Sequence, residues 1–266
     1  MRPSDGKGYY MEAKKSFGQH FLTNERIAER IANALISENA YSKVLEVGPG
    51  KGFLTKYLLK KDYELFVVEA DKDMVTYLNE HLPELNDHII ADDFLKVNFE
   101  SIFGTEPFAL IGNFPYNISS QIVFKMLENR AQIPEMVGMF QKEVAERIVS
   151  APGGKEYGVI SVLTQAYYDG TYLFTVDKGN FNPPPKVQSG VIRLVRKSNT
   201  DLGCKPELFR TIVKTAFGQR RKMLRNTMKS FISSPELLAD PFFNKRPEVL
   251  SVEDFVRLTK WVEEKR

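Results

Sequence analysis

Val44-Leu45-Glu46-Val47-Gly48-Pro49-Gly50-Lys51-Gly52 is a short apolar run that breaks into glycines. The run reads as a buried strand, and glycines directly after a strand let the backbone approach a ligand closely. An amphipathic stretch through Lys60 predicts a helix next. Strand, glycine loop and helix in this order open a Rossmann-like fold. A dinucleotide loop spaces its glycines G-x-G-x-x-G, whereas this one reads G-x-G-x-G with Glu46 ahead of it. A carboxylate there repels a pyrophosphate but suits a cofactor bearing ammonium and sulfonium charge. Gly48 and Gly50 therefore point to S-adenosylmethionine over a nicotinamide dinucleotide, a tight turn without ligand being the alternative.

Outward from this loop, strands alternate with helical patterns. Leu65 to Glu69, Ile89 to Ala91, Phe108 to Gly112 and Met136 to Phe140 read as further strands, with helices over 24–37, Asp73 to Leu82 and 118–129. Two late strands, near 171–177 and 190–196, flank Pro183-Pro184-Pro185 and predict an antiparallel addition at one edge. The alternation predicts an α/β, Rossmann-like fold with a mainly parallel seven-stranded sheet; with a loop suited to S-adenosylmethionine, the expectation is a methyltransferase fold. From residue 197 the texture changes. Phe209, Ile212, Val213, Ala216 and Phe217 mark an amphipathic helix, and Pro235, Pro241 and Pro247 punctuate further helical stretches. The chain thus divides into a flexible leader (1–13), a catalytic domain (14–197) and a small all-α C-terminal domain (198–266).

Composition narrows the class. With 42% hydrophobic and 27% charged residues the chain is that of an ordinary globular protein. No apolar run reaches the roughly 18 residues of a membrane span, no signal peptide is legible and cysteine is used once, so a reducing cytoplasm is the simplest compartment; a monomer is expected. One cysteine, Cys204, excludes an internal disulfide and a multi-cysteine zinc site, and His20, His81 and His88 lack metal-ligand spacing. Residues 197–266 hold 15 Lys and Arg against 9 Asp and Glu, which makes them +6 and leaves −3 on the rest. A polyanion partner for this region is one reading and a solvated helical surface the other.

Three more places carry chemistry. Glu69 ends the second strand, where Rossmann-like folds place an acid on ribose hydroxyls. Asp92 and Asp93 end the third, positioned either to meet an adenine or to cap the next segment. The fourth strand runs into Asn113-Phe114-Pro115-Tyr116. The Asn113 amide oxygen and the Phe114 carbonyl, held by Pro115, can accept the two hydrogens of an exocyclic amine while the Tyr116 ring stacks on the base. An ordinary loop with a buried aromatic is the plainer reading.

Six motifs in order now carry a resemblance. They are Phe17-Gly18-Gln19-His20-Phe21-Leu22, Glu46 to Gly50, Asn113 to Ser119, Gln141-Lys142-Glu143-Val144-Ala145, Phe181 to Val187, and Phe217-Gly218-Gln219-Arg220-Arg221-Lys222. From about Lys14 to Asn226 the chain resembles the small-subunit ribosomal RNA adenine dimethyltransferases of the KsgA type. The resemblance implies transfer of methyl groups from S-adenosylmethionine to the N6 amines of two adjacent adenosines near the 3′ end of 16S ribosomal RNA. The partner it implies is a 30S-type particle, with a role in small-subunit biogenesis.

It further implies that Gln19, His20 and Leu22 close over the cofactor's methionine end. Gly48 approaches the cofactor backbone, Glu69 takes the ribose, Asp93 rather than Asp92 takes the adenine, and Asn113 sits where cofactor and amine meet. Phe181 matches an aromatic that sandwiches the target base with Tyr116, and Arg220, Arg221, Lys222, Arg225 and Lys229 would hold phosphates. The family usually has Asn at position 20 and Leu at position 114; His20 still donates a hydrogen bond, and Phe114 contributes its backbone carbonyl. Competing readings are the macrolide-resistance methyltransferase of large-subunit RNA, a non-catalytic RNA-binding assembly factor, and a nicotinamide-dependent oxidoreductase.

Overall fold

The computed structural model describes residues 19–264. The leader expected over 1–13, together with Phe17 and Gly18, lies outside the described residues. Seven strands form one sheet: β2 (Lys43–Val47), β3 (Glu64–Val68), β4 (Ile89–Ile90), β5 (Phe108–Asn113), β6 (Glu135–Gln141), β7 (Tyr168–Val176) and β9 (Ser189–Arg196). Their order is β4-β3-β2-β5-β6-β9-β7. The first five are parallel, while β9 runs antiparallel between β6 and β7. This is the expected mainly parallel sheet with an antiparallel addition at one edge. A two-residue ladder, β1 (Phe21–Leu22) with β8 (Phe181–Asn182), stands apart from it.

Both faces of the sheet are covered, so its central strands are apolar on both sides and read as continuous hydrophobic runs. Val44, Ala109, Ile111, Val137 and Met139 face one cluster with Ile31, Leu58 and Leu78. Those three come from helix α1 (Glu25–Ala32), helix α2 (Thr55–Leu58) and helix α3 (Lys72–His81). Leu45, Phe108, Leu110, Met136 and Phe140 face the other cluster. Helices α5 (Ser119–Glu128), α6 (Lys142–Val149) and α7 (Val159–Gln165) cover that side, and a short α4 (Phe99–Phe103) joins β4 to β5.

Helix α8 (Pro206–Gly218) begins the helical C-terminal region, which ends in α11 (Val252–Glu264) after the short α9 (Leu224–Thr227) and α10 (Pro235–Leu238). Phe209, Ile212, Val213 and Ala216 are buried on one face of α8, as their spacing predicts. They belong to the same apolar cluster as the sheet face. The loop between α6 and α7 adds polar ties: Gly153 N donates to the Glu248 carbonyl at 2.6 Å, and the buried Tyr157 hydroxyl donates to the Leu250 carbonyl at 2.8 Å.

Helix α1 starts where expected, because the Asn24 side chain accepts from the Arg26 and Ile27 amides. It stops at Ala32 rather than at 37. The fully buried carboxylate of Glu135 takes the Ile36 and Ser37 amides at 2.9 and 2.8 Å and the Tyr41 hydroxyl at 2.7 Å. A buried carboxylate must be supplied with donors, and these come from backbone that would otherwise have continued the helix.

On the face shared by Leu45 and Phe108, β5 and β6 each carry a glycine, and the Phe114 ring fills the space. A Cβ at Gly138 would lie 2.3 Å from the Phe114 ring, and one at Gly112 2.6 Å from the Val47 carbonyl oxygen. Gly138→Ala should therefore destabilise the protein by roughly 1–3 kcal/mol, read as a lower urea midpoint. Adding Phe114→Leu, which removes the obstructing ring, should recover most of that loss.

Candidate active site

A cleft of about 560 Å³ opens at the carboxyl ends of β2, β3 and β5. This is where the strand order reverses between β2 and β5, the position at which open α/β sheets bind ligands. Its floor is the glycine loop after β2. Gly48, Gly50 and Gly52 all have positive φ, at 68°, 55° and 76°. The Gly48 Cα hydrogen faces Pro115, since a Cβ there would meet the proline ring at 3.4 Å, and one on Gly50 would meet the Phe21 ring at 2.9 Å.

Two carboxyl groups are sunk beneath this floor. Glu46 is 1% exposed and accepts the Thr55 hydroxyl at 2.6 Å. Burial pushes its carboxyl up to about 8, against the pull of the Thr55 hydrogen bond and with the help of the nearby Glu69 charge. Glu69 is 7% exposed and accepts the Gly50 amide at 3.1 Å and the Asp71 amide at 2.9 Å. Its carboxyl is also raised by burial, while those amide donors hold it down. Carboxyl groups held back from ionising by burial are compensated best by a cationic ligand, the charge that S-adenosylmethionine brings.

A strap over residues 19–24 crosses the mouth. At its cofactor side Gln19 Nε2 donates to the buried Asp71 at 3.1 Å. Toward the other side Phe21 and Leu22 pair with Asn182 and Phe181. Beyond them Thr23 N and Oγ1 both donate to the Asn180 carbonyl, at 2.9 and 3.0 Å, and Asn24 Nδ2 donates to Asn180 Oδ1 at 2.8 Å. Neither Asp71 nor Asn180 was legible as a site residue. Asp71 carried one signal, its place as N-cap of α3, where it accepts the Asp73 amide.

The strap also meets the loop after β5. Asn113 Nδ2 donates to the His20 carbonyl at 2.9 Å, which turns the acceptor end of the amide, Oδ1, away from the strap. The Phe114 amide donates to the Met139 carbonyl at 3.2 Å, which fixes the Asn113–Phe114 peptide just before the carbonyl that precedes Pro115. Tyr116 is hydrogen-bonded through its hydroxyl to the buried Ser189, and burial raises that hydroxyl. Its ring lies 5.3 Å from the His20 imidazole, whose Nδ1 is 2.9 Å from the Pro183 carbonyl.

The cleft wall gathers Gln19, His20, Leu22, Glu46, Gly48 and Gly50, and with them Glu69, Asp93 and the whole of Asn113 to Tyr116. Asp92 lines it too. Asp93 Oδ1 caps the turn that follows by accepting the Leu95 amide at 3.0 Å. Phe181 is the exception. It is 4% exposed in the apolar cluster with Leu22 and Val191, and it is not part of the wall. Its pairing with Leu22 carries the ring into the core, so a stacking role for Phe181 needs the β1–β8 ladder to open.

The basic group lies at the end of α8 and beyond. Arg221, Lys222, Arg225 and Lys229 are exposed, whereas Arg220 is half-buried and donates to the Gly154 carbonyl at 3.0 Å. Arg225 is hydrogen-bonded to Asn244. Among the described residues no helix is long and apolar enough to cross a membrane.

A glycine-floored cleft with buried acids at the switch point of this sheet defines an S-adenosylmethionine-dependent methyltransferase. The family model for ribosomal RNA adenine dimethylases matches residues 10–264, and the chain belongs to that family. It is similar to the ribosomal RNA small subunit methyltransferase A of Flavobacterium johnsoniae, at 56% identity over 95% of this chain and 97% of that one. The enzyme of the same name from Bacteroides thetaiotaomicron is 54% identical over 96% of this chain and 95% of its own.

Among solved structures, a dimethyladenosine transferase from Plasmodium falciparum superposes with a TM-score of 0.75 at 24% identity, covering 92% of this chain and 98% of that one. The 23S rRNA methyltransferase ErmE does so with 0.68 at 25%, covering 91% and 99%. The chain is therefore a ribosomal RNA adenine dimethyltransferase that uses S-adenosylmethionine. The oxidoreductase and non-catalytic readings fall away.

The raised Glu46 carboxyl has a consequence for the ligand-free protein. Folded Glu46 keeps its proton to about pH 8, while the unfolded chain releases it near 4.5. Its contribution to stability is complete below pH 4.5 and is lost as the pH rises through 8. Glu46→Gln should flatten the fall of stability between those limits, measured by urea unfolding across pH without cofactor.

Proposed function

We propose that the enzyme dimethylates the N6 amines of two adjacent adenosines near the 3′ end of small-subunit ribosomal RNA. In this reading it acts as a cytoplasmic monomer on a 30S-type particle during small-subunit biogenesis. The name shared by its curated relatives supports the small subunit over the large one. Residues 14–197 form the catalytic domain and residues 198–266 the RNA-binding domain of this proposal.

S-adenosylmethionine supplies an electrophilic methyl group on a sulfonium centre. Glu46 and Glu69 set negative charge and hydroxyl acceptors around it, Gly48 and Gly50 let it lie against the backbone, and Asp93 takes the adenine. Gln19, His20 and Leu22 cover its methionine end as part of the strap. On the substrate side the adenosine amine is a weak nucleophile, its lone pair being delocalised into the ring. Asn113 Oδ1 and the Phe114 carbonyl accept its two hydrogens and so turn the lone pair toward the methyl group. Positioning of this kind supplies several kcal/mol without covalent catalysis. The target base must leave its stack at a cost of a few kcal/mol, which the Tyr116 ring partly offsets.

The observation that carries this reading is the anchored amide of Asn113, with Nδ2 spent on the His20 carbonyl and Oδ1 left for the amine. Asn113→Ala should lower methylation on the order of 10²-fold while leaving binding of undermethylated small subunits unchanged. Mass mapping of methylated adenosines and a filter-binding assay read the two effects. A variant with near-normal turnover sinks the assignment. The exposed Arg221 and Lys222 make an independent prediction. Replacing both by Ala should weaken RNA binding at every sequence and flatten its dependence on salt by about one unit of slope per lost phosphate contact.

A further inference from the structure

Thr55 lies at the first position of α2, directly behind the glycine loop, and is fully buried. Its hydroxyl donates to Glu46 Oε2 at 2.6 Å. Glu46 in turn lines the cleft at the carboxyl end of β2. A hydroxyl is the side chain that can serve both states of a carboxyl, accepting from the neutral acid or donating to the anion. The donated bond to an anion is the stronger of the two. Burial above all, and then the like charge of Glu69, bias Glu46 toward the neutral form. Glu69 on the end of β3 adds like charge, with Asp71 behind it, and Asp92 and Asp93 follow β4. Lys51, on the loop itself, and the neutral Tyr116 after β5 complete the titratable groups of the wall, with His20 on the strap. The site therefore holds a buried carboxyl group on the wall of the cleft, with a single hydroxyl beside it able to donate to its anion.

We propose that Thr55 is a positioning residue for cofactor capture, holding the Glu46 carboxylate toward the cationic end of S-adenosylmethionine so that binding expels the Glu46 proton to solvent. The inference rests on the reading that Glu46 faces that end of the cofactor. No bond other than the O–H of Glu46 breaks, and the proton is taken by buffer. Affinity should consequently rise with pH until Glu46 is ionised in the free protein. Thr55→Val has nearly the same volume and removes only the hydroxyl, while Thr55→Ser keeps it.

The test is calorimetric titration of the full chain with S-adenosylmethionine at pH 6.5, in two buffers of unlike ionisation enthalpy. At this pH an α-amino group is already charged, so protons released come from the protein. The wild type should release close to one proton per site. Thr55→Val should weaken binding on the order of tenfold and shift the rise of affinity to higher pH, whereas Thr55→Ser stays within about threefold of the wild type. In a Glu46→Gln background no proton should be released, and Thr55→Val should add nothing further. A wild type that releases no proton, or a Thr55→Val protein with unchanged affinity and proton count, overturns the proposal. If Glu46→Gln itself binds and releases protons like the wild type, the reading of Glu46 fails and takes the proposal with it. Weakened Glu46→Gln beside unchanged Thr55→Val removes only the role of Thr55. Thermal unfolding of the ligand-free variants separates loss of binding from loss of fold.

Discussion

Glu46 is an almost completely buried carboxyl group, held near the end of a central strand by one hydroxyl, with the like charge of Glu69 close by and a loop of three glycines directly after it. Burial of an ionised carboxylate is costly enough that a protein usually keeps such a group neutral until something compensates it. Much of the site follows from this constraint. The glycines must leave the cleft open directly above the acid. Glu69 can share the space because the Gly50 and Asp71 amides already hold it. A ligand of positive charge is then welcomed by the same desolvation that disfavours the free anion.

The second half of the site is built on a different economy of bonds. Asn113 gives one amide hydrogen to the strap, and the strap is joined to the sheet's far edge through Asn180 and to α3 through Asp71. The two sides of the cleft, Asp71 at the start of α3 and Asn113 at the end of β5, are thus tied by one short segment of chain. A side-chain amide can turn over at little cost unless its ends are told apart by their partners. Here a backbone carbonyl makes that distinction, because it can only accept.

The sheet was legible in the sequence because its central strands are apolar on both faces, and an unbroken run of Val, Ile and Leu between glycines has few other readings. Glu46, Glu69 and the Asn113 loop were legible because polar residues at strand ends sit where such sheets bind ligands. What escaped were residues whose role lies in a partner distant along the chain. The β1–β8 ladder is two residues long and carries no periodicity. Asn180 looks like any turn residue. Glu135, which ends α1 early, is 98 residues from the amide of Ser37 that it holds. Phe181 fell on the other side of the same limit. The family resemblance implies an aromatic against the target base at this position, but its register against Leu22 decides which way the ring goes.

A target amine that must be methylated twice puts unequal demands on the two acceptors assigned to it. After one transfer a single N–H remains, and one acceptor has to give way to a methyl group. The Phe114 carbonyl is backbone flanked by held groups: the Phe114 amide is bonded to β6, its ring is wedged between Gly112 and Gly138 against Phe140, and Pro115 lies against Gly48. The Asn113 amide is a side chain, and its anchor is a carbonyl on a strap that pairs over only two residues. Displacing the first means moving backbone and a packed ring at the end of a central strand; displacing the second means a turn about one χ angle and a small shift of the strap. In the proposed chemistry the room for the first methyl therefore has to open on the Asn113 side, with the backbone carbonyl of Phe114 keeping the last hydrogen.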